Sequence, residues 1–166
     1  GQSRLTVTPL QMARLLAFVS NGGWLVTPHV VTEEGMAHTA DEINPSPFRV
    51  TRRKITDVRD ETLAAIREGL VSAVEDPIGT DYRTVRLNEV AIAGKTGTAE
   101  ASPGKPDHAW FTGYVPAQNP QYVVVVVLEH GGSGSKAAGP IVKEVVRSMF
   151  QRGMLGEPRL TRDGNR

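Results

Sequence analysis

The most informative part of the 166-residue chain is a ten-residue segment, Ala91-Ile92-Ala93-Gly94-Lys95-Thr96-Gly97-Thr98-Ala99-Glu100. We expect a strand that begins near residue 90 and continues to Thr98. Alternate side chains of a strand face the same way, so Lys95 shares a face with Gly97, and Thr96 with Thr98. Because Gly97 lacks a side chain, a ligand backbone can approach the strand closely there. A lysine ammonium and threonine hydroxyls can hold a carboxylate, and strand N–H groups can stabilise an oxyanion.

A phosphate-binding P-loop is excluded, although Gly94-Lys95-Thr96 matches the end of its motif. The P-loop requires a glycine five residues before Gly94, and that position is Glu89. It also requires a helix immediately afterwards, whereas residues 101–107 form a segment rich in Pro and Gly that predicts a turn. An ordinary strand end followed by a turn remains the alternative, because three residues match by chance often.

The sequence on either side of Lys95-Thr96-Gly97 distinguishes a functional Lys-Thr-Gly strand from an ordinary strand end. Five segments occur in order, namely residues 1–2 with 5–13, Asn21-Gly22-Gly23 with Pro28, Lys95-Thr96-Gly97-Thr98-Ala99-Glu100, His108-Ala109-Trp110-Phe111 with Gly113-Tyr114 and Pro116, and Ala137-Ala138-Gly139-Pro140. Together they resemble the transpeptidase domain of class B, monofunctional penicillin-binding proteins, a family that carries a Lys-Thr-Gly motif. The resemblance covers residues 1–150 and implies the C-terminal portion of that domain, followed by a flexible tail over residues 151–166.

The resemblance implies roles for four residues. Lys95 would bind the substrate carboxylate and tune the proton network of the active site. Thr96 and Thr98 would hydrogen-bond the carboxylate of the substrate or of a bound β-lactam. The backbone N–H of Thr98 would supply one half of an oxyanion hole, whose other half comes from the catalytic serine. Gly97 would keep the strand open to the ligand.

The family's chemistry also needs a nucleophilic serine in a Ser-x-x-Lys motif and a Ser-x-Asn element, which we expect to precede Gly1 in a longer parent protein. Two formal Ser-x-x-Lys matches occur, at residues 102–105 and 133–136. The first contains Pro and Gly and cannot form the required helical turn. The second lies in a Gly-rich stretch that we expect to be a loop ending before a helix at Pro140. Both follow the Lys-Thr-Gly strand, which is the wrong order for the family.

The hydrophobic pattern predicts an α+β fold, an antiparallel sheet packed with helices, which the resemblance makes a partial penicillin-binding (β-lactamase-like) transpeptidase fold. Helices are expected over residues 8–20, 60–74 and 140–150. Strands are expected over residues 24–31, 48–52, 90–98, 109–115 and 122–129. The five consecutive valines, residues 123–127, show no alternation and predict a central strand covered on both faces.

Composition excludes several classes of function. The chain has 19 basic and 18 acidic residues, a net charge of +1, and this balance argues against a nucleic-acid partner. It has no cysteine, so disulfides and thiolate metal sites are excluded. The histidines are scattered without metal-ligand spacing, at His29, His38, His108 and His130. The longest apolar run, residues 122–128, is far shorter than the ~20 residues of a membrane-spanning helix.

By resemblance, the parent protein is a peptidoglycan D,D-transpeptidase that cross-links stem peptides and is acylated by β-lactams. No metal or organic cofactor is implied. Its expected partners are the D-Ala-D-Ala stem peptide, β-lactams, the N-terminal half of the domain and other cell-wall synthesis proteins. The parent would be anchored in the bacterial inner membrane with this domain on the periplasmic side. The isolated chain would be inactive, and it could self-associate through apolar surface.

Two other functions stay open at this stage. A β-lactam sensor or other binding module could use the same sheet without turnover, and a soluble β-lactamase is a third possibility. The extended Lys-Thr-Gly-Thr-Ala-Glu segment and the Thr-Pro-Leu-Gln helix favour the transpeptidase. No deacylation machinery is evident, which disfavours the β-lactamase.

Overall fold

The computed structural model describes residues 6–30 and 52–155, and it confirms the α+β fold. Within these residues the chain forms three α-helices, five strands and one π-helical turn. In chain order they are α1 (Pro9–Ser20), β1 (Trp24–Val26), β2 (Arg52–Lys54), α2 (Asp60–Glu75), β3 (Ala93–Ala99), β4 (His108–Val115), β5 (Tyr122–Leu128), the π-turn (Gly134–Ala138) and α3 (Gly139–Gln151). No helix in the described ranges is both long and apolar enough to cross a bilayer.

Helix α1 begins where its sequence predicts. The Gln11 backbone N–H donates to Oγ1 of Thr8 at 3.2 Å, and the Thr8 N–H donates to Oε1 of Gln11 at 2.8 Å. This reciprocal pair is a capping box, and Pro9 occupies the first turn, where its missing N–H costs nothing. The expected helix over residues 8–20 is therefore confirmed.

The main sheet has the order β3-β4-β5, and both pairs are antiparallel. Lys95 lies opposite Thr112, and Thr112 lies opposite Val125. The expected neighbouring strands are confirmed, but β3 begins at Ala93 rather than near residue 90. Residues 90–92 are buried but precede the part of the chain that pairs with β4.

The valine strand β5 occupies a different place from the one its sequence predicts. Within the described residues it pairs with β4 alone, so it lies at an edge and β4 is central; the prediction of a central strand is wrong for this part of the sheet. Apolar cover does reach both faces, because Val124 and Val126 pack on the main core and Val123 packs on a second cluster. An unbroken apolar run indicates that both faces of a strand are covered by other residues. It does not indicate whether the strand is central or at an edge of the sheet.

Strands β1 and β2 form a separate antiparallel pair, with Leu25 opposite Arg53. The first is shorter than the predicted strand over residues 24–31, because residues 27–30 leave the pairing. Residues 31–51 lie outside the described residues, and so does most of the strand predicted over residues 48–52.

The main core lies between the sheet and helix α3. Its fully buried members include Phe111 and Val115 of β4 and Val142 and Val146 of α3. Leu155, which falls inside the expected tail, also belongs to this core and is 3% exposed. Residues 156–166 lie outside the described residues, so the flexible tail stays a prediction for them.

The segment between α2 and β3, residues 76–92, is held by hydrogen bonds near both of its ends. These bonds place it beside the Lys-Thr-Gly strand. Glu75, the last residue of α2, accepts a hydrogen bond from the Ile92 N–H at 3.0 Å and forms an ion pair with Arg86 at 3.4 Å. The Asp81 N–H donates to the carbonyl of Ala73 at 2.9 Å. These contacts hold residues 76–92 against the helix although they form no strand or α-helix.

Candidate functional site

The Lys95 side chain lies on β3 with about half of its surface exposed to solvent. Its Nζ is 3.2 Å from the Thr96 carbonyl and 3.4 Å from Thr96 Oγ1, and the exposed fraction of the side chain is 47%. The ammonium therefore sits at the surface of the strand, where a ligand can reach it. Gly97 beside it is exposed.

The backbone of β3 presents N–H groups on the side away from β4. The Thr96 N–H points that way, because it donates to Oδ2 of Asp81 at 3.0 Å rather than to β4. In an antiparallel pair, N–H groups two residues apart point to the same side. The Thr98 N–H therefore also faces the side on which β3 has no strand partner among the described residues. This is the orientation that an oxyanion donor requires.

The hydroxyl groups of the two threonines have different partners. Thr96 Oγ1 donates to Oδ1 of Asp81 at 2.6 Å. Thr98 Oγ1 accepts a hydrogen bond from the Gly134 N–H at 3.2 Å, so its own proton is not used in that contact. The two side chains share a strand face, as the sequence predicts, but only Thr98 keeps a hydroxyl proton for a ligand.

The π-turn approaches the sheet closely at Gly134. A Cβ at this position would collide with the Gly97 carbonyl oxygen and would lie 2.7 Å from the carbonyl oxygen of Trp110. The prediction that residues 133–136 form a loop ending before the helix is wrong, because residues 134–138 are a helical turn that runs directly into α3. The π-turn continues into α3 without a break. At the junction, Gly139 packs closely on Thr84.

The two formal Ser-x-x-Lys matches have different local structures, and in neither does the serine hydroxyl bond the lysine. At residues 102–105 the Lys105 N–H donates to the Ser102 carbonyl at 3.1 Å, and Gly104 has a φ of +83°, so the segment is a tight turn. In the second match, the exposed Ser133 precedes the π-turn and Lys136 lies within that turn, but no hydrogen bond joins the two side chains. The turn predicted for residues 101–107 is confirmed.

Asp81 is the residue of this region that sequence reasoning missed. It is fully buried, accepts both hydrogen bonds from Thr96, and lies 3.7 Å from the Nζ of Lys95. No periodic pattern pointed to it, because it stands in an irregular segment fourteen positions before Lys95. The only signal was an acidic residue in a Gly-containing turn, and that pattern is common on protein surfaces.

Two histidines and the buried tyrosine have contacts outside this cluster, whereas His38 lies outside the described residues. His108 and His130 have ring centroids 4.8 Å apart, and the His130 N–H donates to His108 Nδ1 at 3.1 Å, a contact that their separation in sequence did not reveal. Across residues 6–30 and 52–155, no group of three or more His, Cys, Asp or Glu residues could hold a metal ion. Tyr114 is 1% exposed and its hydroxyl has no hydrogen-bond partner; burial raises its pKa, against an opposing effect of the Arg67 charge.

The Lys-Thr-Gly motif that β3 carries occurs in penicillin-binding proteins and class A β-lactamases, and within the described residues β3 lies at an edge of the sheet. The chain belongs to the penicillin binding protein transpeptidase domain family, whose family model matches residues 1–147. This confirms the family that the ordered segments indicate.

Curated relatives of the chain are named as peptidoglycan D,D-transpeptidases. Peptidoglycan D,D-transpeptidase MrdA of Haemophilus influenzae is 31% identical over 161 residues, which cover 88% of this chain and 24% of that protein. Peptidoglycan D,D-transpeptidase PbpA of Mycobacterium tuberculosis is 30% identical over 162 residues, or 95% of this chain and 31% of that protein. The chain thus spans between about a quarter and a third of the curated relatives it matches.

Solved structures of the family superpose on the chain over most of its length. The penicillin-binding protein PBP2 in its complex with MreC from Helicobacter pylori gives a TM-score of 0.77 at 26% identity, covering 93% of this chain and 27% of that one. The Pseudomonas aeruginosa PBP2 in complex with WCK 5153 gives 0.75 at 29% identity, covering 99% and 35%. The partial penicillin-binding fold is thereby confirmed.

Proposed function

We propose that this chain supplies the Lys-Thr-Gly side of the active site of a peptidoglycan D,D-transpeptidase. The observation that carries the proposal is the open edge of β3, where the exposed Lys95 ammonium and the outward Thr98 N–H lie on one strand of a transpeptidase-family fold. The nucleophilic serine and its lysine would come from residues outside this sequence. Among the described residues, neither formal Ser-x-x-Lys match brings its serine hydroxyl into a hydrogen bond with its lysine.

The geometry supports a division of work along the strand. Lys95 would bind the terminal carboxylate of a D-Ala-D-Ala stem peptide by a charge-assisted hydrogen bond. The serine would attack the penultimate D-Ala carbonyl, and the N–H of Thr98 would donate to the oxygen that becomes negative. Expulsion of the terminal D-Ala leaves an acyl-enzyme, which an amine of a neighbouring strand then attacks to form the cross-link and free the serine.

The same geometry would accept a β-lactam, which carries a carboxylate and a reactive carbonyl at comparable positions. Gly97 supports this, because the absence of a side chain leaves the strand open at the point of approach. Opening of the lactam ring by the serine retains the leaving group in the same molecule, so the acyl-enzyme would persist.

Labelling with fluorescent penicillin tests the proposal on the full-length protein that contains these residues. We expect one covalent label per protein, blocked by prior exposure to unlabelled penicillin G, and release of D-Ala from a stem pentapeptide. A protein that takes the label but neither releases D-Ala nor forms cross-links would instead be the binding module. A protein that takes no label under conditions where it is folded would contradict both functions.

The cellular location and the partners of the parent protein follow from the same proposal. A peptidoglycan cross-linking enzyme must act where the stem peptides are, on the outer side of the inner membrane. We propose that the parent faces the periplasm from a membrane anchor outside this sequence and works beside other cell-wall synthesis proteins. The similarity to a penicillin-binding protein solved in complex with MreC supports a partner of that kind.

A further inference from the structure

Asp81 carries a charge in a place where proteins seldom tolerate one. Its side chain is fully buried, and burying a carboxylate costs several kcal/mol unless hydrogen bonds and an opposite charge compensate it. Here the compensation comes from two adjacent residues of β3, namely the Thr96 hydroxyl at 2.6 Å, the Thr96 N–H at 3.0 Å and the Lys95 ammonium at 3.7 Å. The carboxylate thus contacts Lys95, which would bind the ligand carboxylate, and its neighbour Thr96.

The backbone of Asp81 is itself held from two directions, so its carboxylate is a fixed point. The Asp81 N–H donates to the Ala73 carbonyl of helix α2 at 2.9 Å, and the Asp81 carbonyl accepts from the Val85 N–H at 2.8 Å. Strand β3 has no strand partner on this side within the described residues. Asp81 therefore ties the free side of β3 to helix α2 at the level of Thr96.

This contact distinguishes the roles of the two threonines. A hydroxyl has one proton, and that of Thr96 is donated to Asp81, so Thr96 cannot donate to a ligand carboxylate at the same time. Thr98 accepts from the Gly134 N–H and keeps its proton. Of the two hydroxyl groups, that of Thr98 is therefore the one with a proton left to donate to a ligand carboxylate.

We propose that Asp81 is a positioning residue of the candidate site, which acts through Thr96 and Lys95 to fix the carboxylate-binding edge of β3. It does not touch the ligand. The inference rests on the proposed function, because it assigns to Asp81 the task of orienting the group that binds the substrate or β-lactam carboxylate.

Acylation kinetics in the full-length protein test the role with two ligands that differ at one carboxyl group, which is charged in penicillin G and neutral in its methyl ester. In Asp81→Asn, we expect the second-order acylation rate with penicillin G to fall about tenfold, the loss typical of one hydrogen bond to a charged group. The rate with the methyl ester should stay within about twofold, since the neutral ester offers Lys95 no charge to bind. Equal losses with both ligands would show a merely structural role and overturn the proposal, as would no loss or a gain with penicillin G.

Asp76→Asn is the matched control, because it makes the same change in charge in the same loop. Asp76 is exposed and accepts from the Ile78 N–H at 3.1 Å, a bond that asparagine can keep. Its acylation rates should equal those of the wild type with both ligands. A loss in this control equal to that of Asp81→Asn would show that loop charge alone matters and overturn the proposal.

Amide hydrogen exchange resolved to single residues tests the contact without any activity. Thr96 and Thr98 both direct an N–H away from β4, but only that of Thr96 is accepted by Asp81, so it should exchange more slowly. The difference should disappear in Asp81→Ala; if it persists there, or is absent in the wild type, the proposal is overturned. Should Asp81→Ala not fold, the comparison of Thr96 with Thr98 in the wild type alone tests the contact.

A wild-type protein that forms no acyl-enzyme would contradict the proposed function, and the positioning role would fail with it. Amide exchange would still report separately whether Asp81 contacts Thr96.

Discussion

At the scale of single residues, burial and hydrogen-bond partners distinguish the exposed Lys95 of the candidate site from the buried Asp81 and Tyr114. Lys95 is half exposed and held only loosely by neighbouring oxygens. Asp81 is fully buried and has three contacts from β3. Tyr114 is buried in an apolar cluster with a hydroxyl that has no partner. Each arrangement leads to a different measurable consequence.

Replacing Lys95 by alanine should impair acylation more than folding. Loss of a charge-assisted contact costs ~1.5–3 kcal/mol, so the second-order rate of acylation by penicillin should fall roughly ten- to a hundredfold in the full-length protein. The free energy of unfolding should fall less, because the side chain is half exposed and Asp81 keeps both hydrogen bonds from Thr96. Lys105→Ala, at an exposed turn position, is the control. An unchanged acylation rate in Lys95→Ala would mean that Lys95 is only structural.

Replacing Tyr114 by phenylalanine should stabilise the protein. The change removes a buried hydroxyl without a hydrogen-bond partner and leaves the ring packing on Leu16 and Ala93. We expect a gain of about 1 kcal/mol in the free energy of unfolding, measured by urea denaturation. Tyr122→Phe, at an exposed position, should change little. A loss of stability in Tyr114→Phe would mean that the hydroxyl has a favourable interaction.

The raised pKa of Tyr114 also predicts how stability responds to alkali. The folded state favours the neutral phenol, so its contribution is complete below the ordinary pKa of 10.0 and is lost as pH rises through the higher folded pKa. The wild-type protein should therefore lose more stability than Tyr114→Phe above pH 10.0. Thermal unfolding across this range measures the difference, and parallel curves for the two proteins would contradict the prediction.

At the scale of secondary-structure elements, the π-turn and β3 depend on each other. The backbone of the π-turn lies so close to β3 and β4 that position 134 has no room for a Cβ, and its N–H donates to the Thr98 hydroxyl. The turn then continues into α3, whose apolar face covers the main core. The orientation of Thr98 is thus set by the packing of the C-terminal helical segment against the sheet.

Replacing Gly134 by alanine should destabilise the protein because the new methyl group meets backbone carbonyls that cannot move aside. Overpacking of this kind typically costs ~1–3 kcal/mol in the free energy of unfolding. Gly69→Ala is the contrasting control: Gly69 lies in helix α2 with open space around it, so alanine should stabilise the helix by about 0.5–1 kcal/mol. Chemical denaturation of the two variants should therefore give shifts of opposite sign. A neutral Gly134→Ala would show that the π-turn can move away from the sheet.

At the scale of the whole molecule, the chain forms a core and presents one edge of a candidate active site. The sheet packs on α3 through Phe111, Val115, Val142 and Val146. The valine strand β5 has partly buried side chains, and within the described residues it pairs on one side only. Such an edge can pair with a further strand, from the parent protein or from a second copy of the chain.

The 166-residue chain by itself should not form an acyl-enzyme with penicillin. Covalent catalysis needs a nucleophile and its base within hydrogen-bond reach, and the formal Ser-x-x-Lys matches do not provide this pair. Intact-mass measurement after incubation with penicillin G should show no adduct, whereas the full-length protein should gain one. A stoichiometric adduct on Ser102 or Ser133 would contradict the proposed division of the active site.

Local sequence determined much of this protein. The Thr8 capping box, the apolar stripes of the helices, the turn at residues 101–107 and the Lys-Thr-Gly strand act over a few residues, so local patterns predict them. The family and the candidate residues Lys95, Thr96, Gly97 and Thr98 followed from that strand and its neighbours. The edge position of β5, the π-turn and the buried Asp81 were decided by tertiary structure alone. Each depends on groups far apart in the chain, and the cost of burying a charge or of excluding a Cβ appears only when packing brings those groups together.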